Sequence, residues 1–175
     1  MNGQIPVLEV AGGHCLNQSE AILRFVGVQT GAYNTADPLA MWAADSVIST
    51  ANDFADRSPK GPEGKPMMYA MFGADAMKEE DVATLGAYRA TMWAGMEKLL
   101  GDKNFFGGDK LNIGDFWMAA ALFSWERNTQ GKECQAHVYA AHAAALAGNA
   151  KMTAWADRIG EELKDHIATR GAGTL

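Results

Sequence analysis

The first thirty residues differ in hydrophobic pattern from the rest of the chain. Residues 4–10 form a short apolar run entered through Pro6, and a glycine pair follows at positions 12 and 13. Residues 17–20, Asn-Gln-Ser-Glu, then open a second apolar run that stops at Gly27. This order predicts a strand, a tight hairpin and a helix. The first turn of that helix would present free backbone N–H groups and small polar side chains, an arrangement that suits a carboxylate.

Beyond Gly27 the apolar residues recur at three- and four-residue spacing, which predicts helices to the end of the chain. Asp37 and Pro38 are typical of a helix start, because Asp caps free N–H groups and Pro lacks an N–H at the first helical position. Helices are predicted at about residues 38–58, 78–101, 112–127, 133–146 and 149–170. In the last of them, the residues predicted to point inward are Met152, Trp155, Ile159, Leu163 and Ile167.

Residues 111–116 contain the clearest local signal for a helix start. With Asn112 as the cap, Asp115 stands at the third helical position and can bond back to the cap, while Leu111 and Phe116 occupy the positions of a hydrophobic staple. Asp115 is therefore predicted to hold the fold and not to act in catalysis.

Composition and charge narrow the classes of protein. The chain has 175 residues, 48% of them hydrophobic and 21% charged, which suits one compact unit or a unit with a small appendage. A net charge of -6 without a basic cluster argues against nucleic acid or an anionic membrane as partner. Neither a long apolar span nor a secretory signal is found in the sequence, and two cysteines make no disulfide framework. We therefore expect a cytoplasmic protein.

No metal site or phosphate loop is predicted. His137 and His142 are five residues apart, which is off one helical face, and the other histidines do not complete a ligand set. The glycine pairs lack the spacing of a phosphate-binding loop. Cys15 falls in the hairpin and is interpreted as a small buried hydrophobe.

Residues 4–20 resemble the cytosolic glutathione transferases, nearest the sigma, pi and mu classes, and a weaker resemblance continues to about residue 170. Pro6 matches a cis-proline of that family, and Gln18 and Ser19 match its Gln-Ser pair. The resemblance implies a mostly helical fold: a partial thioredoxin-like β-β-α segment at residues 1–30, then the all-helical C-terminal domain of the family at residues 37–170. The family's opening strand, helix and second strand have no counterpart in this sequence.

The resemblance implies that Gln18 and Ser19 bind the γ-glutamyl carboxylate of glutathione, using the N-terminal field of the helix. The alternative is a purely structural helix start, since Asn17 and Glu20 have the spacing of a capping box. That alternative gives no reason for the Gln-Ser pair.

Further site residues follow from the same resemblance. The backbone of Ile5, turned outward by Pro6, would pair with the cysteinyl part of glutathione, and Gln4 matches a weaker contact. Asp53 matches an acid that reaches the glutathione amino group of the other subunit, which implies a homodimer. The alternatives are an entry proline at the edge of a small sheet for Pro6 and a solvated acid on a polar helix face for Asp53.

The resemblance implies conjugation of glutathione to small hydrophobic electrophiles, with glutathione as co-substrate and no other cofactor. In these classes a tyrosine at the end of the first strand stabilises the thiolate. The four tyrosines, all later in the chain, do not match it, so the catalytic residue is unknown: Tyr33, Tyr69, Tyr88 and Tyr139. The alternative function is a binding or dimerisation module without turnover.

Two further expectations concern surfaces. The apolar residues 67–72 either line the pocket for the electrophile or belong to the core. The hairpin, without the strands that accompany it in the family, would leave Ile5, Val7, Leu8 and Val10 partly exposed. We therefore expect strand exchange between subunits or poor solubility.

Overall fold

The structure, a computed structural model, describes residues 5–61, 64, 77–128 and 135–169. Within these ranges there are two strands and seven helices. The strands are β1 (Val7–Val10) and β2 (His14–Asn17), and the helices are α1 (Ser19–Thr30), α2 (Pro38–Asp56), α3 (Glu79–Leu100), α4 (Ile113–Ser124), α5 (Ala136–Ala147), α6 (Ala150–Glu162) and α7 (Lys164–Thr169). The predicted fold class, mostly α with a β-β-α segment in front, is confirmed.

The two strands form an antiparallel hairpin in which Val7 pairs with Asn17 and Val10 pairs with His14. Gly12 and Gly13 turn the chain with φ values of 86° and 76°. Residues that carry a side chain rarely adopt such positive φ values. The predicted hairpin is therefore present, with its glycines where positive φ is needed. Leu8 and Val10 are half-buried, whereas Val7 is exposed, as is Ile5 in front of the strand.

Helix α1 is held against α4 by a close approach at Gly27. A Cβ at this position would overlap Ile113 Cγ2 and crowd the Tyr33 side chain. The link is reinforced by the backbone, because Ile113 N–H donates to Ala32 O at 3.1 Å and Tyr33 N–H donates to Gly27 O at 3.0 Å. These contacts fix the C-terminal end of α1 relative to the helical body.

The main core lies among helices α2 to α6. Its centre is a pair of fully buried tryptophans, Trp93 of α3 and Trp155 of α6, whose ring centroids are 6.3 Å apart. Val47 on α2, Met118 on α4 and Leu146 on α5 belong to the same cluster of buried residues. Four of the five residues predicted inward in the last helical stretch contribute to it, since Met152, Trp155 and Ile159 are buried and Leu163 packs against them.

The predicted capping box at the start of α4 is present. Asn112 Oδ1 accepts from the N–H groups of Gly114 and Asp115, at 2.8 and 3.1 Å, and Asp115 Oδ2 accepts from Asn112 N–H at 3.0 Å. Asp115 is fully buried and accepts three more N–H bonds, from Phe106, Gly107 and the Trp155 indole. Its role as a structural acid follows from these bonds.

Two predictions are wrong in detail. Cys15 is exposed on the hairpin and is not a buried hydrophobe, because the two-stranded sheet has little packed on it at that point. The last predicted helix is two helices, since α6 ends at Glu162 and α7 begins at Lys164, with no buried residue in α7.

Other predictions are not tested. Gln4 and the apolar residues 67–72 lie outside the described residues, as does Tyr69. The division of the chain at about residue 30 remains a prediction. Among the helices of the described part, none is long and apolar enough to cross a membrane.

Candidate functional site

The first turn of α1 has no side-chain cap. Gln18 stands at the N-cap position with φ 69° and ψ 113°, and its side chain makes no capping hydrogen bond. A positive φ at a residue other than glycine is strained, and such residues cluster at binding sites. Ser19, the first helical residue, is exposed. The N–H groups of this turn are therefore open to a ligand.

The capping box between Asn17 and Glu20 does not form. Because α1 begins at Ser19, the third helical position is Ala21 and not Glu20. The Glu20 carboxylate instead accepts from both terminal nitrogens of Arg24 at 3.2 Å and from Asn52 Nδ2 at 2.6 Å. The capping box on which the structural alternative for residues 17–20 was based is therefore absent.

Arg24 joins this end of α1 to α2. Its Nε donates to Asp45 Oδ1 at 2.9 Å, and the other Asp45 oxygen accepts from the Tyr33 hydroxyl at 2.7 Å. One guanidinium therefore bridges two carboxylates, Glu20 on its own helix and Asp45 on the next. The fork of Arg donors allows this geometry, which a single ammonium would not.

A cleft of about 570 Å³ opens at the first turn of α1, between α1, α2 and α4. Residues of α1 form one wall and residues of α2 the other, with one aromatic side chain from α4. The lining is polar and holds both signs of charge: Gln18, Ser19, Glu20, Ala21, Arg24, Asn52, Ala55, Asp56 and Trp117.

The structure brings together Gln18 and Ser19, the two residues predicted to bind a carboxylate, at one end of this cleft. The Ile5–Pro6 peptide is cis, as expected from the resemblance, and both residues are exposed in front of β1. Asp53 is exposed on α2, forms an ion pair with Arg57 at 3.1 Å and does not line the cleft.

Arg24, Asn52, Asp56 and Trp117 line the cleft but were not predicted from the sequence. Helical spacing offered a signal for part of this set. Asn52 and Asp56 are four residues apart on α2 and therefore lie on the same helix face. The spacing alone could thus have predicted a shared polar surface on α2. Which helix that face meets depends on tertiary packing.

The hydroxyls of Tyr33 and Tyr88 are less acidic than an ordinary phenol, since the pKa of each is raised. Burial raises the pKa of Tyr33, and its hydrogen bond to Asp45 raises it further. Burial also raises the pKa of Tyr88. A phenol that stabilises a thiolate needs its proton directed at the sulfur, and the Tyr33 proton is directed at Asp45. No group of residues that could hold a metal ion is found in the described part of the chain.

The fold, a β-β-α unit followed by a helical body, is similar to solved structures of glutathione S-transferases. Twenty-nine solved chains match this structure significantly. The chain has the glutathione S-transferase fold, so the resemblance predicted from its sequence is confirmed.

Three of the similar structures illustrate the match. Monomeric Na-GST-3, a glutathione S-transferase from the hookworm Necator americanus, has a TM-score of 0.74 and 24% identity, over 99% of this chain and 77% of that one. The glutathione S-transferase of Ascaris lumbricoides has a TM-score of 0.73 and 25% identity, with the same two coverages, 99% and 77%. Rat hPGDS in complex with a quinoline has a TM-score of 0.68 and 22% identity, over 99% and 76%. No protein-family model and no curated protein sequence matches the chain.

Proposed function

We propose that the chain binds glutathione and conjugates it to small hydrophobic electrophiles. The observation that carries this proposal is the uncapped first turn of α1, where the N–H groups beside Gln18 and Ser19 open into a cleft. A helix N-terminus stabilises an anion through its free donors and its dipole. The γ-glutamyl carboxylate would bind there, with the Ser19 hydroxyl as an additional donor.

The remaining parts of glutathione extend from that anchor. The exposed backbone of Ile5 at the cis Pro6 peptide would pair with the cysteinyl unit as a short added strand, and Gln4 would contribute a weaker contact. Asp53 would bind the cationic amino group in the partner subunit, which makes the functional unit a homodimer. This assignment is supported by the exposure of Asp53 and by its position outside the cleft of its own chain.

In the reaction, the cysteinyl thiol of glutathione loses its proton and the thiolate attacks an electrophilic carbon, so that a C–S bond forms and the displaced group or electron pair leaves that carbon. No residue of this chain is assigned to proton removal. Glutathione is the co-substrate, and no further cofactor takes part. Such a role suits cytoplasmic detoxification.

A second function, glutathione binding without turnover, is favoured by one specific observation. The Tyr33 hydroxyl is hydrogen-bonded to Asp45, and burial raises the pKa of both Tyr33 and Tyr88. Neither is poised to stabilise a thiolate. A glutathione site without a donor to the thiolate would lose roughly a hundredfold to a thousandfold in rate and would act as a binding or dimerisation module.

The experiment is a calorimetric titration with glutathione, run beside a conjugation assay with a chromogenic chloronitrobenzene. Ser19→Ala should weaken binding about tenfold, since a hydrogen bond to a charged group contributes about 1.5 kcal/mol. Ser19→Pro also removes the N–H, at a position where helices accept proline, and should abolish measurable binding. Ser49→Ala, the same change at an exposed site on α2, is the control.

The outcomes separate the two functions. Binding that depends on Ser19, together with turnover, supports the transferase. Binding that depends on Ser19 without turnover supports the module. Absence of glutathione binding by the unmodified chain overturns both.

A further inference from the structure

The cleft poses an electrostatic difficulty for any ligand carboxylate. Glu20 follows Ser19 directly, and both Glu20 and Asp56 line the same cleft. Among the described lining residues, Arg24 is the one cation. A carboxylate approaching the first turn of α1 would therefore meet like charge unless that of Glu20 is compensated.

Arg24 provides this compensation with defined geometry. Both of its terminal nitrogens lie 3.2 Å from Glu20 Oε2, and Asn52 Nδ2 lies 2.6 Å from the other Glu20 oxygen. Both oxygens are thereby held by partners on the next turn of α1 and on α2. They are not available to fold back onto the free N–H groups beside Ser19.

We propose that Arg24 is a positioning residue for the part of the cleft beside Ser19. Arg24 neutralises and redirects the Glu20 carboxylate, so that a ligand carboxylate can bind at Ser19. The proposal rests on the proposed binding of glutathione and adds a specific requirement to it. Arg24 acts through Glu20 and does not itself contact the ligand.

Arg24 also has a structural connection, which the test must separate from this role. Its Nε donates to Asp45 Oδ1 at 2.9 Å and so ties α1 to α2. If Arg24 served only that tie, removing the Glu20 charge would not repair its loss, because Asp45 would still lack its partner. If Arg24 serves to compensate Glu20, removing both charges should restore binding. A double-mutant cycle distinguishes the two roles.

The experiment compares the unmodified chain with Arg24→Gln, Glu20→Gln and the double variant, by calorimetric titration with glutathione at low salt. Arg24→Gln should bind glutathione about tenfold more weakly, because one uncompensated charge lies near the site. The double variant should bind within about twofold of the unmodified chain, on the same electrostatic argument. Asp45→Asn, which removes only the structural partner, should change binding less than about twofold.

Salt provides an independent readout. The cleft is open to solvent, so the defect of Arg24→Gln should shrink at about 0.5 M NaCl, where the screening length is only a few ångströms. A loss of glutathione binding caused by displacement of α1 from α2 would persist at this salt concentration. Thermal unfolding of each variant confirms that the titrated protein is folded.

The results distinguish this inference from the function on which it rests. If the unmodified chain binds glutathione and Arg24→Gln binds equally well, or if Glu20→Gln fails to restore Arg24→Gln, Arg24 has no positioning role while the proposed function stands. If the unmodified chain does not bind glutathione, both are overturned.

Discussion

At the scale of single residues, the Asp115 carboxylate ties a loop, a helix start and a core indole together. It accepts N–H bonds from Phe106, Gly107, Asn112 and the Trp155 indole, and it is fully buried. Asp115→Asn would replace one accepting oxygen of the carboxylate by an NH₂ group that faces N–H donors. We expect the free energy of unfolding to fall by about 3 kcal/mol, because buried donors lose their acceptor. Urea unfolding measures this, with the exposed Asp157→Asn as control; a loss below about 1 kcal/mol would contradict the structural role.

We expect the buried His142 to make the stability of the chain depend on pH. It is fully buried beside Glu126 and Arg89, and its Nδ1 lies 3.6 Å from Glu126 Oε1, beyond hydrogen-bond distance. Burial lowers the pKa of His142, and the Arg89 charge also lowers it, although the neighbouring Glu126 carboxylate opposes this shift. Burial raises the pKa of Glu126, but the charge of Arg89, with which Glu126 forms a buried ion pair, lowers that pKa, and the net shift is downward.

The sign follows from proton uptake. Below about pH 6.5 the unfolded chain protonates His142 while the folded chain does not, so the unfolded state binds more protons and stability falls with falling pH. We expect a slope of up to about 1.4 kcal/mol per pH unit below pH 6.5. Urea unfolding between pH 7.5 and pH 5 should show this slope reduced in His142→Phe and retained in His166→Phe, whose side chain is exposed. Equal slopes in all three proteins would exclude His142 as the cause.

Residue roles were predictable where the partners are close in sequence. Asp115 and Asn112 are three apart, and their reciprocal bonds follow from spacing alone. The partner of Arg24 on α2, Asp45, is 21 residues away, and that of Arg89, Glu126, is 37 away. Such pairs depend on how helices pack, which a single sequence does not specify.

At the scale of elements, the placement of α1 depends on Gly27. A Cβ there would overlap Ile113 and crowd Tyr33, so Gly27→Ala must push α1 away from α4. We expect a loss of about 1–3 kcal/mol in unfolding free energy, as for other overpacked sites. Gly86→Ala is the matched control, since a Cβ on this helical glycine meets Ala141 at an ordinary 3.6 Å. Equal stability of the two variants would show that the α1 contact is not tight.

Elements themselves were largely predictable, and their ends were less so. The hairpin, α1 and α2 lie where glycines, Asp37 and Pro38 indicate. The division between α6 and α7 at Leu163 was not visible, because Leu163 and Ile167 continue the helical spacing across the break. The free start of α1 was predicted from the Asn-Gln-Ser-Glu segment, although Asn17 and Glu20 also have the spacing of a capping box.

At the scale of the whole molecule, we propose that the site includes Asp53 of a second chain. Asp53 lies on the exposed face of α2, outside the cleft of its own subunit. We expect Asp53→Asn to weaken glutathione binding about fivefold through loss of a charged hydrogen bond, with little change in unfolding free energy, since the exposed pair with Arg57 contributes only about 0.5 kcal/mol. Calorimetry and urea unfolding measure the two effects, with exposed Glu79→Gln as control. Unchanged binding would remove Asp53 from the site.

The exposed hairpin leads to a prediction about assembly. Ile5 is 93% exposed and Val7 is 45% exposed. An uncovered apolar strand tends to pair with another chain. We expect dimers by strand exchange or poor solubility, with Val7→Lys increasing the monomer fraction in light scattering. A well-dispersed monomer at high concentration would contradict this.

The central claim is that the carboxylate of glutathione binds the free N–H groups where α1 begins. Nuclear magnetic resonance of the ¹⁵N-labelled chain, titrated with glutathione, tests it at those atoms. We expect the largest amide shifts at Ser19, Glu20 and Ala21, and we expect Ser19→Pro to abolish the shifts at Glu20 and Ala21. Saturable shifts confined to other parts of the chain, or none at any glutathione concentration, would contradict it.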